Sequence, residues 1–305
     1  MVIIMDGILN ILKPPGMTSH DIINWARRNF KEKKAGHTGT LDPGAAGVLP
    51  VYLGKATKVI PYINDEKKTY RAKIVFGATT DTQDSFGQVL SNVTPDFGLS
   101  HFKEVLDSFT GEILQKPSIY SAIKVKGKKL YDYARQGKEV DIPVRKIFIN
   151  EIKILHHNIP QYAFIEVTCS KGTYIRSLCA DIGETLGCGA YMGFLLRTAS
   201  GKFNIFSSHT LEELEESNQK GQLEKMLLPL EFSLDEYQKI HIKNSASNSL
   251  KNGNSIYPQG IEEDLSPYKT DQFILAYLNN HLAAIGNIKY EEARNRYYFK
   301  PIRVL

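Results

Sequence analysis

The sequence is poor in cysteine and has no long apolar run. Its 305 residues include three cysteines, Cys169, Cys179 and Cys188, which show no Cys-x-x-Cys spacing and cannot all pair with one another. This pattern argues against a disulfide framework and predicts free, buried thiols in a reducing compartment. Because no stretch approaches the roughly 18 uninterrupted apolar residues of a membrane-spanning helix, we expect no association with a membrane.

Two further signals are missing. The first residues, Met-Val-Ile-Ile-Met-Asp, lack a basic segment, and Asp6 interrupts their apolar run, so we do not expect them to be a signal peptide. The sequence therefore predicts a cytoplasmic protein. No strand is followed by Gly-x-Gly-x-x-Gly, which argues against a cofactor-dependent methyltransferase.

The composition is that of a globular protein with a mild excess of positive charge. Hydrophobic residues make up 42% of the chain and charged residues 23%, and the formal net charge is +5. This charge suits a polyanionic partner. A chain of 305 residues can form one large domain or two.

The most informative segment runs from Gly36 to Pro50, with the sequence Gly-His-Thr-Gly-Thr-Leu-Asp-Pro-Gly-Ala-Ala-Gly-Val-Leu-Pro. Four glycines surround one carboxylate, Asp42, and Pro43 biases Asp42 away from helix. Such a loop can hold a single acid in front of a planar substrate. From Asp-Pro-Gly alone, an ordinary Asx-turn is the favoured interpretation. General base and metal ligand are rival roles for Asp42, and the metal role is weak because few other ligands lie nearby in the sequence.

The whole string closely resembles the active-site motif of the bacterial tRNA pseudouridine-55 synthases of the TruB type. Further motifs of that family follow in order and cover most of residues 6 to 232. They are Gly7 to His20, Lys68-Thr69-Tyr70-Arg71-Ala72, Lys171 to Leu178, and Leu195-Leu196-Arg197-Thr198. Several motifs in the right order are far more specific than any one of them.

The resemblance implies that Asp42 is the catalytic nucleophile and that Arg176 is its partner. A carboxylate held against a uracil ring needs an opposite charge to stay ionised. Tyr70 and Tyr174 would offer flat faces to a flipped base, and a phenol could also relay a proton. From the residues alone, both tyrosines could instead pack in the core, and Arg176 could lie at a solvated helix start. An extended segment would place Tyr174 and Arg176 on one face.

The resemblance assigns further residues to substrate binding. His37 would occupy the space left by the flipped base, and Leu195 would close the pocket. Lys13 and Pro14 are predicted to brace the catalytic loop from the neighbouring strand. Asp81 also matches a family motif, where a turn-forming role is as plausible as an RNA contact.

A basic run extends from 116 to 146. It contains nine Lys or Arg and three Asp or Glu, with tyrosines interleaved. A charge run is usually a solvated face, but basic residues mixed with aromatics also suit a surface that tracks RNA phosphates. The family has an RNA-clamping insertion here, which favours the RNA-binding interpretation. The candidate RNA-binding residues are Lys124, Lys126, Lys128 and Lys129.

Alternating strands and amphipathic helices predict an α/β or α+β fold around an extended sheet, and the resemblance implies that the sheet is mixed. The patterns predict a strand at Ile8–Leu12, a helix capped at Thr18 or Ser19 that ends near Phe30, and strands at Thr69–Phe76, Ile142–Leu155 and Ala163–Cys169. The last seventy residues show short strands separated by turns, as in the PUA-like RNA-binding domain that ends these synthases. We expect a catalytic domain at 1–232 and a PUA-like domain at 233–305.

The sequence thus predicts an enzyme that isomerises uridine 55 in the T-loop of tRNA by flipping the base, with no cofactor and no metal. We expect a monomer that binds the T-arm and needs no obligate protein partner. One alternative is the related catalytic subunit of a guide-RNA-dependent particle, and another is a catalytically silent tRNA-binding chaperone. The basic insertion argues against the first, and the intact Asp42, Tyr70, Tyr174 and Arg176 argue against the second.

Overall fold

The computed structural model describes residues 5–64, 67–120, 124–125, 127–130, 133, 136–138 and 140–305. Strands dominate this part of the chain. In chain order they are β1 (Gly7–Lys13), β2 (Ala35–His37), β3 (Ala46–Leu53), β4 (Lys67–Phe76), β5 (Ala78–Thr80), β6 (Val89–Asn92), β7 (Gly111–Gln115), β8 (Lys124–Val125), β9 (Lys128–Lys129), β10 (Arg145–Asn158), β11 (Tyr162–Ser170), β12 (Ala190–Ser200), β13 (Phe203–Asn204), β14 (Gln238–His241), β15 (Phe273–Leu278), β16 (His281–Glu291) and β17 (Arg296–Val304).

The helices of the described residues are fewer and pack against these strands. They are α1 (Ser19–Phe30), α2 (Leu99–Ser108), α3 (Ile175–Thr185), α4 (Leu211–Gln219) and α5 (Ser247–Lys251), with a 3₁₀ helix at Gly54–Tyr62. None of the helices in the described ranges is long and apolar enough to cross a membrane.

Among the described residues, nine strands form the central sheet. Its main path runs β1-β3-β12-β4-β11-β10-β7, with β2 paired to β3 and β13 paired to β12. The β3–β12 pair is parallel and its neighbours are antiparallel, so the sheet is mixed. Along β4 and β11 buried and more exposed residues alternate, which is the pattern of strands with one face on a core. Helices α2 and α3 cover that buried face.

Helix α1 begins where the sequence predicts. The Thr18 side chain accepts a hydrogen bond from the Asp21 backbone N–H, and the Asp21 carboxylate accepts one from the Thr18 backbone N–H. This capping box satisfies two N–H groups that a helix start leaves unpaired. The helix buries Ile22 and Ala26 and ends at Phe30, followed by Lys31 in the left-handed conformation.

A short hairpin, β5–β6, lies beside the central sheet. Its connecting turn is tied to β12, because the Ser85 backbone N–H donates to the Met192 carbonyl (3.1 Å) and the Met192 N–H donates to the Gln83 carbonyl (3.0 Å). The turn is therefore fixed relative to the strand that runs through the middle of the sheet.

The C-terminal strands form a separate four-stranded sheet in the order β14-β15-β16-β17. Its core includes Ile240, Ile274, Ile288 and Phe299. The sheet also contacts the first, since Leu275 and Ile285 share a buried cluster with residues of β1 and β3.

The mixed α/β architecture agrees with the fold class predicted from the sequence. The three cysteines are free and buried, as predicted. The strand predicted at Ile142–Leu155 instead begins at Arg145 and continues to Asn158. Pro143 explains the late start, because proline has no N–H to donate to a strand ladder.

Candidate active site

The loop that carries Asp42 connects β2 to β3 and is anchored on both sides of the acid. The Leu41 backbone N–H donates to Ser19 Oγ (2.9 Å), and that hydroxyl donates to the Leu41 carbonyl (3.2 Å). On the other side, the Ala45 N–H donates to the Asp42 carbonyl (3.0 Å). Ser19 belongs to the first turn of α1, so the helix fixes the backbone of the acid.

Lys13, at the end of β1, fixes the second half of this loop. Its side chain is fully buried, and Nζ donates to the carbonyls of Ala45 (2.6 Å), Pro14 (2.8 Å) and Pro43 (3.3 Å). Burial lowers the pKa of Lys13 to about 8, although the nearby Asp42 carboxylate opposes that shift. Lys13 Nζ thus contacts two carbonyls of the loop, while Pro14 supplies only an acceptor for it, and the bracing role of both residues stays a prediction.

Arg176 and Asp42 form a two-pronged ion pair. Arg176 Nε lies 2.9 Å from Asp42 Oδ2, and Nη2 donates to Oδ1 at 3.3 Å. The arginine side chain is only 5% exposed, whereas that of Asp42 is 38% exposed. The buried Arg176 guanidinium thus binds the Asp42 carboxylate on its buried side, while part of the carboxylate stays accessible to solvent.

The remaining hydrogens of Arg176 point to other acceptors. Nη1 donates to the Thr82 carbonyl (3.2 Å) and Nη2 to the Tyr120 carbonyl (3.0 Å). Nη1 also lies 3.6 Å from Asp84 Oδ2, so the arginine faces a second carboxylate. A planar guanidinium with this many fixed partners has one orientation, which it imposes on Asp42.

These neighbours act in opposite directions on Asp42. Burial raises the pKa of Asp42 above its usual value, the charge of Arg176 lowers it, and the charge of Asp84 raises it again. Lys13 contributes a smaller lowering effect. In the described parts of the chain, no three His, Cys, Asp or Glu side chains gather as the ligands of a metal ion would.

Tyr70 and Leu195 lie on neighbouring strands close to the loop. Tyr70 on β4 is opposite Arg197 of β12, and Leu195 on β12 is opposite Ala72 of β4. Tyr70 is 8% exposed and Leu195 6%, and both belong to the buried cluster that contains Leu41. The two residues therefore lie on adjacent strands and share a buried apolar cluster with Leu41, the residue before Asp42.

The extended segment expected to align Tyr174 with Arg176 is not present. Helix α3 begins at Ile175, so Tyr174 precedes the helix and Arg176 lies in its first turn. Gln115, which is 1% exposed, holds Tyr174 by accepting from its backbone N–H (2.8 Å) and donating to its carbonyl (3.0 Å). The Tyr174 ring packs against Leu130 and Ile142 of the basic insertion.

His37 ends β2 and is half-buried beside a buried arginine. Its Nδ1 is buried and makes no hydrogen bond with the described residues. Burial and the charges of Arg197 and His20 lower the pKa of His37, which favours a neutral ring at pH 7. Arg197 is fully buried and donates to the carbonyls of Val48 (2.8 Å) and Gly39 (3.0 Å).

Only part of the basic insertion can be placed. Lys124 and Lys129 pair in a small hairpin of β8 and β9, and Lys128 is exposed there. Lys126 lies outside the described residues, and the side chains of Lys124 and Lys129 are not described. The Tyr120 carbonyl, near the start of the insertion, contacts Arg176 and links this segment to the acid.

Two polar residues of the site are not predicted from the sequence. Asp84 faces Arg176, whereas Asp81, which the motif suggests, accepts a hydrogen bond from the Gln88 N–H (2.8 Å) and so stabilises the turn. Gln115 orients Tyr174 across 59 residues of sequence. The only signal in the sequence is that a buried arginine needs several acceptors, and that does not identify them.

Comparison with protein-family models gives two matches. The model of the TruB family pseudouridylate synthase N-terminal domain matches residues 27–175, and that of the tRNA pseudouridylate synthase B C-terminal domain matches residues 176–235. Together the two models cover more than half of the chain.

Comparison with curated proteins and solved structures agrees. The chain is 44% identical to tRNA pseudouridine synthase B of Alkaliphilus oremlandii over 99% of both proteins. It is 43% identical to the same-named protein of Clostridioides difficile over 93% of this chain and 95% of that protein. A Cbf5-Nop10-Gar1 complex contains a chain of similar fold (TM-score 0.73, 28% identity), and the match covers 99% of this chain and 84% of that one.

Proposed function

The chain belongs to the TruB family of pseudouridylate synthases, and on this premise we propose that it converts uridine 55 in the T-loop of tRNA to pseudouridine, with Asp42 as the nucleophile. The observation that carries the proposal is the Asp42–Arg176 pair. A buried cation holds one partly exposed carboxylate in one orientation, at 2.9 Å and 3.3 Å. This arrangement keeps a nucleophile ionised at the edge of an apolar pocket.

The reaction is an isomerisation, so nothing is consumed. The N1–C1′ bond of uridine breaks, the base turns, a C5–C1′ bond forms, and the proton leaves C5 while N1 gains one. Asp42 forms a covalent bond to the nucleotide and later releases it, which divides one difficult exchange into easier steps. In this proposal the Tyr70 hydroxyl helps to move the C5 proton. The chemistry needs no cofactor or metal.

The target base must leave its stack to reach Asp42. Extrusion costs roughly a few kcal/mol, and stacking of a base on an aromatic ring returns about 1–3 kcal/mol. Tyr70 supplies that ring, and Leu195 closes the apolar side of the pocket beside it. His37 enters the space that the base vacates.

Binding of tRNA rests on phosphate contacts outside this pocket. The basic insertion at 116–146 joins the site through Tyr120 and packs against Tyr174, so a clamped RNA arm lies next to Asp42. Lys128 is exposed there for a phosphate contact, and Lys124, Lys126 and Lys129 belong to the same basic run.

The protein acts as a monomer, in the cytoplasm, and without an obligate protein partner. The curated relatives with 40–44% identity carry the name tRNA pseudouridine synthase B, whereas the matching chains of an H/ACA RNP and of a Cbf5-Nop10-Gar1 complex are 26% and 28% identical. This difference favours a stand-alone enzyme over a guide-RNA-dependent subunit. The intact Asp42–Arg176 pair favours an enzyme over a silent chaperone.

Residues 1–232 form the catalytic domain and 233–305 a small PUA-like RNA-binding domain. The central sheet ends at Asn204, and the four-stranded sheet begins at Gln238, which supports a boundary between them. The family models divide instead at residues 175 and 176, inside the Asp42–Arg176 site.

Mapping of pseudouridine tests the proposed function. Purified protein and unmodified tRNA, incubated with a chelator, should yield pseudouridine at position 55 alone, and a tRNA with cytidine at that position should yield none. Pseudouridine only at other positions, or none at all, would contradict the proposal.

A further inference from the structure

Phe86 exposes its ring to solvent at the edge of the active-site loop. The residue is 77% exposed, so it contributes little to the core. The ring rests on Gly44, where an added Cβ would lie 2.1 Å from Phe86 Cε2 and 2.7 Å from Cζ. Gly44 follows Asp42 by two residues, and its lack of a side chain gives the ring room to lie directly on the loop.

The backbone of Phe86 is held by the same network that orients the acid. Its N–H donates to Asp84 Oδ1 (3.0 Å), while Asp84 Oδ2 lies 3.6 Å from Arg176 Nη1. Thr82 Oγ1 also donates to Asp84 Oδ1 (2.6 Å). An exposed ring on a fixed backbone is preorganised for a ligand, because binding costs little further ordering.

We propose that Phe86 is a stacking platform for a nucleobase of the substrate RNA that flanks the target uridine. The inference rests on the proposed function, since it takes the RNA arm to lie across Asp42. The face of a ring suits the face of a base, and such contacts tolerate any base. The ring offers a phosphate neither a positive charge nor a hydrogen-bond donor, so the base rather than the backbone meets the ring.

Four variants test this role. Phe86→Ala removes the ring and Phe86→Trp keeps an aromatic face. Leu90→Ala removes an equally apolar side chain, 68% exposed, from the same hairpin, and Phe206→Ala removes another exposed phenylalanine, 96% exposed. The dissociation constant for a T-arm RNA is measured for each over a range of salt concentrations, with thermal unfolding as the check on folding.

We expect Phe86→Ala to bind the RNA about tenfold more weakly, or about 1.4 kcal/mol. Phe86→Trp should bind like the parent, and the two other variants should stay within about twofold. The salt dependence should not change, because no charge is lost. An abasic nucleotide at one position flanking the target should remove the difference between parent and Phe86→Ala.

Three results would overturn the inference. The first is that Phe86→Ala binds the RNA like the parent. The second is that Leu90→Ala is impaired as much as Phe86→Ala, which would indicate a general apolar surface for a protein. The third is that no abasic position removes the difference in affinity between the parent and Phe86→Ala. Product formation by the parent is measured separately, so a parent that binds RNA without forming pseudouridine would contradict the proposed function while leaving the stacking test readable.

Discussion

Arg176 and Asp84 act on Asp42 with opposite charges, so removing each should shift the pH dependence of catalysis in opposite directions. The proposed mechanism needs an ionised Asp42, so the rate falls as the pH drops through the pKa of this group. That pKa lies above 3.8 because of burial, is lowered by Arg176 and is raised by Asp84. Arg176→Met should therefore move the acid limb of the rate profile to higher pH, and Asp84→Asn should move it to lower pH.

The size of the Arg176 effect follows from the geometry of the pair. Opposite charges about 4 Å apart interact by about 4 kcal/mol at an effective dielectric constant of 20. Because Asp42 is 38% exposed, solvent screens part of this, which leaves about 2 kcal/mol. Even on the pH plateau, loss of the two charged hydrogen bonds that orient Asp42 should slow the reaction about thirtyfold.

The assay is kcat/KM for pseudouridine formation on unmodified tRNA between pH 5 and 9, with RNA affinity measured in parallel. A residue with only a structural role would lower the rate at every pH without moving the acid limb. If both variants leave the limb in place, or both move it the same way, the electrostatic account of Arg176 and Asp84 is wrong.

Three further expectations follow from the same contacts. The pKa of Lys13 is about 8 in the folded protein and 10.5 when the chain is unfolded, so between these values the unfolded chain binds more protons and folding becomes more favourable as the pH rises. Urea unfolding should therefore show the parent gaining stability relative to Lys13→Met from about pH 8 to about pH 10.5. A stability difference that stays constant over this range would contradict the prediction. Gly47 has a φ of +121°, and an added Cβ would lie 2.2 Å from the Arg197 carbonyl oxygen, so Gly47→Ala should lower the free energy of unfolding by about 3 kcal/mol or more. Gly98→Ala is the control and should cost little, because no atom lies within 4 Å of the added Cβ. Equal losses of stability in the two variants would contradict the close approach of Gly47 to Arg197. Tyr70→Phe should slow product formation at least about 100-fold and still flip the base, while His37→Ala should weaken flipping. The flip is measured by the fluorescence of 2-aminopurine placed beside the target uridine. Loss of this signal in Tyr70→Phe but not in His37→Ala would contradict both assigned roles.

Local patterns predicted those elements whose residues alternate regularly or are capped by their own side chains. Helix α1 follows from the capping residues Thr18 and Asp21, and β4 and β11 follow from strict alternation. The pattern does not predict β12, although it lies in the middle of the sheet. Its pairing with β4 shifts register at Met192–Phe194 and at Arg197–Ala199, so the period of two slips twice along one strand.

The residues of the candidate site likewise differ in how far the sequence predicts them. Asp42 stands out because glycines and a proline surround it in a short segment, and the family motifs point to Arg176 and Tyr70. Asp84 meets Arg176 only through the tertiary fold, since 92 positions separate the two residues along the chain. Periodicity and local turn chemistry carry no information over such a distance, so the second carboxylate could not be predicted.

The most direct test of the central claim is the rate of pseudouridine formation by Asp42→Asn. This change keeps the shape of the side chain and removes the nucleophilic carboxylate. We predict no detectable product at saturating enzyme, with tRNA affinity within about twofold of the parent because phosphate contacts carry most of the binding. Turnover within about tenfold of the parent, about 1.4 kcal/mol in the barrier, would contradict the assignment of Asp42 as the nucleophile.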